Sequence, residues 1–493
     1  MLILFILIPF LLGALLPLLE KFSRRFLPDL LANLGMLFLL VYTMTTGYQI
    51  VATRSGYRLF QWFNQPLNIG MALDGFSLFM LFTIFLVSFG VTLFSIDYME
   101  HYTAKGTFYG LLMIMIGGMA GLVLSNDLFT MYVFLEVSAI ASYGLVAYGL
   151  GHDELEASFK YLMLSAVATA FLLIGIALIF GITGSLKLGD IANRFADGDL
   201  QWVLGICTSV FIFGFGLKAA LVPFHSWLPD AHPSAPAPIS AMLSGLLIKV
   251  SGVYALARVF LNVFGLSPEL GMVLMYLGTI SILVGAIIAL GQDDIKRMLA
   301  YSSISQVGYI ILGLGAGTPM AIMGALFHIL NHALAKGLLF LNSGSIEHST
   351  GTRSLNKMGG LGKKMPFTAA STVVGSLAVA GVPPLNGFWS KLFIIIGLLQ
   401  AQKYGFALVA VLASIITLWY YILIQRKAFF GKLNEALNEV KEAPFWMVLS
   451  TVLMGLACII IGSGFPVVLN NWIKPAADIL SSGVGYALRL LRF

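Results

Sequence analysis

The chain has 493 residues, of which 59% are hydrophobic and only 10% are charged. Soluble proteins carry about 25% charged residues, so this composition excludes a water-soluble enzyme and indicates an integral membrane protein. The net charge of +6 does not indicate nucleic-acid binding, because most basic residues lie in loops beside apolar runs.

Runs of about 20 apolar residues, the length that crosses a bilayer as a helix, recur along the whole chain. The first run begins at residue 2 with no basic leader, which predicts a retained helix rather than a signal peptide. We therefore predict an all-α polytopic membrane protein with about fourteen transmembrane helices. The predicted spans are 2–19, 27–47, 72–95, 107–125, 128–149, 157–183, 202–222, 237–262, 270–290, 298–315, 320–344, 366–399, 403–424 and 444–463.

Lysine and arginine are concentrated in alternate loops. Fourteen of them fall in the odd-numbered interhelical loops and five in the even-numbered loops. Cytoplasmic loops are the ones enriched in these residues, so we predict that both termini lie on the extracytoplasmic side. The polar stretch 427–443 follows span 13, and we predict that it forms an amphipathic surface helix on the cytoplasmic side.

Spans 7 and 12 each contain a proline break with an aromatic residue and a lysine beside it. The first reads GLKAALVPFHSWLP around Pro223, and the second reads AVAGVPPLNGFWSK around Pro383 and Pro384. Because these spans are five apart, they cross the membrane in opposite directions, which indicates two inverted-topology repeats of five helices. Broken helices in matching repeat positions indicate an ion or substrate pathway. The alternative is that proline is simply common in membrane helices.

The predicted repeats divide the chain into four parts. Residues 1–106 contain spans 1–3, and residues 107–263 form the first repeat, spans 4–8. Residues 264–430 form the second repeat, spans 9–13, and residues 431–493 contain the amphipathic segment, span 14 and the C-terminal tail.

Several charged residues lie inside the predicted spans. Each ion buried in a bilayer costs several kcal/mol, so fold stability alone would not retain so many. Low dielectric favours neutral lysine, which lets it release a proton, and a Glu–Lys pair can open and close as proton relay requires. The relay candidates are Glu136, Lys218, Lys249 and Lys391. For Glu136 the alternative is a structural ion pair. Lys160 and Arg258 lie near helix ends, where snorkelling is the better interpretation.

Span 11 contains ALFHILNHALAKGLLFL, which places His328, His332 and Lys336 one helical turn apart. They form a polar stripe about 12 Å long at about 1.5 Å per residue. Histidine titrates near pH 6.5, so we predict that this stripe relays protons. The alternative is a set of hydrogen bonds between helices.

The proline break in span 7 carries two histidines, His225 and His232. Irregular backbone at membrane depth is tolerated inside protein or beside water, so this break is predicted to line a water-filled cavity. We predict that His225 couples the central lysines to solvent.

No ligand set for a metal or other cofactor is evident. The two cysteines, Cys207 and Cys458, stand alone in apolar runs without a CxxC motif. Two histidines at i, i+4 without an acidic partner nearby are only half of a metal site. We predict no metal and no cofactor.

Four long segments resemble the antiporter-like subunits shared by respiratory complex I, membrane-bound hydrogenases and Mrp-type sodium/proton antiporters. They read LKAALVPFHSWLPDAHPSAPAPISAMLSGLLIKVSGVYALAR, DDIKRMLAYSSISQVGYIILG, HILNHALAKGLLFL and GVPPLNGFWSK, and the resemblance covers residues 70–430. In that family a glutamate on span 5 pairs with a lysine on span 7, and a lysine on span 8 leads to span 11 histidines and a span 12 lysine. The resemblance implies these roles for Glu136, Lys218, Lys249, His328, His332 and Lys391.

The chain length, Lys391 and the segment GTRSLNKMGGLGKKMP look most like the D subunit of Mrp antiporters. The resemblance implies a proton-translocating subunit of a sodium/proton antiporter in a prokaryotic inner or plasma membrane, with other membrane subunits as partners. The alternative is a proton- or sodium-pumping subunit of a redox-driven complex, either a hydrogenase or an NADH-quinone oxidoreductase, powered by a soluble redox module. In that setting too, this chain would carry no redox centre. A passive scaffold would not need lysines in the middle of the membrane.

Overall fold

The structure, a computed structural model, describes residues 2–22, 26–53, 57–61, 70–102, 104–196 and 201–490. Helices make up nearly all of it, apart from an antiparallel ribbon of β1 (Tyr57–Gln61) and β2 (Gly70–Asp74). The helices of the described residues are α1 (Leu4–Leu19), α2 (Phe26–Thr53), α3 (Gly75–Tyr98), α4 (Lys105–Leu124), α5 (Leu128–Val146), α6 (His152–Thr183), α7 (Leu188–Ala196), α8 (Gln201–Lys218), α9 (Leu228–Ser234), α10 (Ala237–Val263), α11 (Pro268–Leu290), α12 (Ile295–Ala316), α13 (Pro319–Thr350), α14 (Pro366–Ala380), α15 (Asn386–Gln400), α16 (Tyr404–Phe429), α17 (Phe445–Ser463), α18 (Phe465–Val468), α19 (Lys474–Ser481) and α20 (Val484–Leu490).

Eleven helices in the described ranges are long and apolar enough to cross a membrane. Three shorter apolar helices, α1, α8 and α14, stand at predicted spans 1, 7 and 12. Eleven and three make up the fourteen predicted spans, and the prediction of an all-α polytopic fold is confirmed. The two-stranded ribbon was not predicted, because β2 runs directly into apolar α3 and its residues were assigned to that span.

Short polar side chains fix where several helices begin. The carboxylates of Asp74 and Asp127 accept hydrogen bonds from the backbone N–H groups of Ser77 and Thr130, at 2.8 and 2.7 Å. Each satisfies one of the backbone donors that the first turn leaves without a partner. Both aspartates are the N-cap residues of their helices, α3 and α5.

Polar side chains are concentrated on the helices at the centre of the molecule. The most apolar windows of α10 and α13 are completely buried by neighbouring helices, whereas fewer than half of the residues in those of α2, α6 and α16 are buried. Two segments of α10, Leu243–Tyr254 and Arg258–Val263, have π-helical hydrogen bonding, which is rare and is frequently found at functional sites.

Both predicted broken helices are present. The first break separates α8 from α9 at residues 219–227, and the second separates α14 from α15 at residues 381–385. Trp227, the last residue of the first break, and Trp389, in the first turn after the second, each donate the indole N–H to a backbone carbonyl, at 3.0 and 2.9 Å. The two breaks therefore share their position within the predicted repeats and the way an aromatic residue anchors them.

The prediction of a surface helix at 427–443 is wrong. Helix α16 ends at Phe429, and the rest of the segment contains only a 3-10 turn at Glu435–Leu437. The segment instead contacts the start of α14. The Glu442 carboxylate accepts hydrogen bonds from the Phe367 backbone N–H at 2.8 Å and the Thr368 hydroxyl at 2.6 Å. These residues form the first turn of α14, so Glu442 acts as a cap supplied by another part of the chain.

The direction in which the helices cross the bilayer stays a prediction. Three of the arginines counted in loops, Arg24, Arg25 and Arg54, lie outside the described residues. Two of the counted lysines are buried at helix starts, where Lys105 and Lys296 form ion pairs of 2.6 and 2.9 Å with carboxylates of neighbouring helices.

Candidate functional site

The predicted Glu–Lys pair is formed between α5 and the end of α8. The Lys218 ammonium lies 3.3 Å from the Glu136 carboxylate, and the two side chains are 3% and 25% exposed. The lysine is thus enclosed while the glutamate remains accessible at one edge. A pair of this length can open by a small movement of the glutamate.

Two hydroxyl groups that the sequence analysis did not select complete this pair. Lys218 donates to the Ser165 hydroxyl at 2.5 Å, and the same oxygen accepts a hydrogen bond from the Tyr143 hydroxyl at 2.5 Å. Ser165 belongs to a polar stripe on α6 that also includes Ser158 and Tyr161. This spacing of three and four residues on an otherwise apolar helix is the signal that could have identified it.

Lys249 is completely buried on the π-helical part of α10. Its ammonium donates a short hydrogen bond to the backbone carbonyl of Ser244. Among the described residues, no carboxylate lies within ion-pair distance of Lys249. An ammonium held only by neutral groups can lose its charge without leaving an unpaired anion behind.

Close backbone packing places Lys249 between the two halves of the site. A Cβ added to Gly252 would lie 2.5 Å from the Cα of Ala219, the residue that follows Lys218. A Cβ added to Gly245 would lie 3.2 Å from the carbonyl oxygen of Ala333, the residue that follows His332. Helix α10 therefore packs against the end of α8 on one side and against α13 on the other.

The histidines and the lysine of the predicted stripe lie along α13, and two of them bond to neighbouring helices. His328 Nδ1 lies 2.9 Å from the Ser390 hydroxyl of α15, and the His328 and His332 rings are 6.0 Å apart and nearly parallel. Lys336 donates to the backbone carbonyl of Leu299 at 2.9 Å. All three residues of the stripe are buried.

Lys391 lies at the second break. Its ammonium donates to the carbonyl of Ala380, the last residue of α14, at 3.3 Å and lies 4.6 Å from the centre of the Tyr309 ring. A helix C-terminus carries partial negative charge, and an aromatic face attracts a cation. Both neighbours therefore favour the charged lysine without supplying a full negative charge.

His225 lies in the first break, between α8 and α9. It is half-buried there, and its Nδ1 has no hydrogen-bond partner in the described structure. No hydrogen bond or ion pair joins its ring to another candidate within the described ranges.

Buried polar atoms without a protein partner gather where α13 meets α15. Within the described part of the chain they include both ring nitrogens of His332, Nε2 of His328, Oδ1 of Asn331 and Nδ2 of Asn386. Buried polar groups in proteins are almost always satisfied, either by protein or by ordered water. This interface is therefore well suited to hold water beside the two histidines. No group of three or more His, Cys, Asp or Glu residues within the described ranges could hold a metal ion.

Lys160 and Arg258 were both interpreted as snorkelling to the membrane surface, and only the position of Lys160 agrees with this interpretation. Lys160 is exposed and pairs with Glu156 at 2.8 Å. The prediction for Arg258 is wrong, because its side chain is 3% exposed and pairs with completely buried Asp74 at 2.9 Å. The C-terminal residues 474–490 fold back beside this end of α10, so Arg258 has no route to solvent along its own helix.

Comparison with known proteins identifies the family. Residues 125–417 match the family model described as NADH:quinone oxidoreductase/Mrp antiporter, transmembrane. The chain belongs to this family. Residues 62–109 also match the model described as NADH-ubiquinone oxidoreductase (complex I), chain 5 N-terminus.

Members of this NADH:quinone oxidoreductase/Mrp antiporter family from two settings resemble the chain. It is 33% identical to the D subunit of the Na(+)/H(+) antiporter of Alkalihalophilus pseudofirmus, over 96% of each chain. It is 36% identical to the N subunit of the NADH-quinone oxidoreductase of Desulforudis audaxviator, over 76% of this chain and 77% of the relative. In fold it matches a chain of the Mrp complex from Dietzia sp. DQ12-45-1b with a TM-score of 0.90, at 26% identity and covering 99% of both chains.

The family membership and these likenesses identify a multi-pass membrane protein related to the subunits of multisubunit complexes. The family membership that the sequence analysis expected is confirmed.

Proposed function

We propose that this chain is the proton-translocating subunit of a multisubunit sodium/proton antiporter of the Mrp type. The observation that carries the proposal is the end-to-end likeness to an antiporter D subunit, which extends over 96% of both chains. The likeness to a chain of an Mrp complex over 99% of both supports it. The partners would be other membrane subunits of the same complex in the plasma membrane.

The proposed mechanism begins at the Glu136–Lys218 pair. When the carboxylate moves away, the Lys218 ammonium loses its anionic neighbour and gives up a proton more readily. The proton passes to Lys249, whose helix packs against the end of α8, and then to His332 and His328 on α13.

Lys391 would be the last carrier of the proposed route. His328 reaches α15 through its contact with Ser390, the residue that precedes Lys391. Lys336 extends the histidine stripe by one turn and serves as a side branch that can hold a proton. His225 would connect the first break to solvent.

A redox-driven complex is the second proposed setting. The 36% identity to a subunit of an NADH-quinone oxidoreductase supports it. The same relay would then be driven by a soluble redox module, and electrons would not pass through this chain.

The two settings are distinguished by isolating the chain with its native partners from membranes in mild detergent and identifying the co-purifying proteins by mass spectrometry. Small membrane subunits, together with sodium-dependent proton flux after reconstitution into liposomes, would support the antiporter. Partners that bind iron–sulfur clusters or nickel–iron centres, without sodium-dependent flux, would overturn it in favour of the redox-driven pump.

Substitution of Gly381 by alanine should impair transport by displacing Lys391. Gly381 has a φ of +86°, and an added Cβ would lie 3.0 Å from Cδ of Lys391. The left-handed backbone costs a non-glycine residue about 1–2 kcal/mol. The displaced side chain would move the ammonium away from the end of α14. We expect a lower melting temperature and a clear loss of proton flux in reconstituted vesicles.

Gly351 provides the matched control for this substitution. Its φ is +68°, and nothing lies within 4 Å of an added Cβ. Gly351→Ala should therefore lose a similar amount of stability and retain transport. If both variants transport equally well, the position of Lys391 is not important for the relay.

A further inference from the structure

A stripe of polar residues runs along α10 beyond Lys249. Its members are four or five residues apart and buried: Ser240, Ser244, Lys249, Tyr254, Arg258 and Asn262. The i→i+5 hydrogen bonding of the π-helical segments widens each turn, which keeps residues at this spacing on one side of the helix. The stripe therefore leads from Lys249 toward the membrane face on which β2 and residues 474–490 lie.

Arg258 closes this stripe at its far end. The guanidinium pairs with Asp74 at 2.9 Å and donates to the hydroxyls of Ser77 and Tyr254 at 3.2 and 3.0 Å. The rings of Phe76, Tyr254 and Tyr486 lie 5.1–5.3 Å from its centre. A cation held by one carboxylate and three aromatic rings is fixed in place.

The C-terminal residues cover this cluster. The Tyr486 hydroxyl donates a short hydrogen bond to the Asp74 carboxylate. The Asn262 amide donates to the carbonyls of Ile479 and Gly483, at 2.8 and 3.2 Å. The tail thus fastens the end of α10 and keeps Arg258 and Asp74 away from solvent.

A fixed arginine has a specific consequence for proton movement. Arginine stays protonated in proteins, so Arg258 cannot pass on a proton from Lys249, and its charge repels any proton that approaches. Channels use an arginine in this way to exclude protons and cations. The Lys249 ammonium meanwhile bonds to the carbonyl of Ser244, on the side away from Arg258.

We propose that Arg258, held by Asp74 and Tyr486, is an electrostatic barrier that stops protons on Lys249 from leaking along α10 to this membrane face. Because of this barrier, protons do not cross to the membrane face along the polar stripe. They pass from α8 to α10 and on to α13, as the relay requires. This inference rests on the proposed function only in taking Lys249 as a proton carrier.

Passive proton leak in the complete purified complex tests the proposal. The complex is reconstituted into liposomes that contain a pH-sensitive dye, and a membrane potential is imposed in the absence of sodium and redox substrate. Arg258→Met should raise the inward proton leak several-fold, whereas Arg258→Lys, which keeps a cation, should leave it close to that of the unchanged complex. If the Arg258→Met complex leaks protons no faster than the unchanged complex, the proposal is wrong.

Two further variants separate a barrier from a damaged fold. Asp74→Asn with Arg258→Met removes both charges together, which buried ion pairs often tolerate, and asparagine still caps α3. This double variant should leak as Arg258→Met does, and it serves as the test if the single variant does not assemble. If the double variant leaks protons no faster than the unchanged complex, Arg258 is not a barrier.

Adding Lys249→Met should abolish the leak, because the proton would lose its source. A leak that persists without Lys249 would come from disrupted packing and would also overturn the barrier. Failure of the proposed function is recognised separately, since the unchanged complex would then show no driven proton transport whatever the leak of the Arg258 variants.

Discussion

Replacement of Glu136 by alanine should abolish driven proton transport while the complex still assembles. Removing the carboxylate leaves Lys218 with the Ser165 hydroxyl at 2.5 Å as its hydrogen-bond partner. Because a quarter of the Glu136 side chain is exposed, little packing is lost with it. Positioned proton-transfer groups contribute about 10²–10⁴-fold in rate, so we expect a loss of at least about 10²-fold. Proton flux in everted vesicles and native gel electrophoresis measure the two properties.

Glu156→Ala is the matched control for this substitution. Glu156 lies on α6, is half-exposed and pairs with Lys160 at 2.8 Å, outside the proposed relay. Exposed pairs of this kind contribute little to stability, so transport and assembly should both be retained. If Glu136→Ala instead blocks assembly, and the fraction that assembles transports normally, the Glu136–Lys218 pair is structural.

The relay candidates could be selected from the sequence because they are unusual where they occur. Lysine is expensive inside a bilayer, so Lys218, Lys249 and Lys391 are conspicuous in apolar runs. Proline breaks are equally visible, and both were found at the predicted positions. The geometry that joins these residues depends on contacts between distant helices, such as α10 against α13, which periodicity alone does not specify.

Serine and tyrosine are ordinary residues in membrane helices, and this is why the sequence analysis missed Ser165 and Tyr143. Only the packing of α5, α6 and α8 shows that both hydroxyls belong to the Lys218 site.

Arg258 was misinterpreted for a related reason. Its distance from the helix end predicts snorkelling, but a tail more than two hundred residues further along the chain covers it. The segment 427–443 has helical amphipathicity, yet it does not form a helix and Glu442 instead caps α14. In both cases a long-range contact outweighs a local pattern.

Lys249→Arg should abolish transport as completely as Lys249→Met. The proposed relay requires residue 249 to release its proton in every cycle, and arginine does not deprotonate in proteins. A permanent cation at this completely buried position would also repel the proton that arrives from Lys218. Proton flux in vesicles, normalised to the amount of assembled complex, measures the effect.

Lys160→Arg is the matched control, because Lys160 is half-exposed and an arginine there can keep the pair with Glu156. It should transport normally. The comparison of Lys249→Arg with Lys249→Met then distinguishes two roles for a buried lysine. A fixed charge that organises water would be replaced by arginine and not by methionine, so transport by Lys249→Arg alone would contradict the relay. Loss in both variants, with the complex still assembled, is the result expected when the lysine itself takes up and gives away the proton.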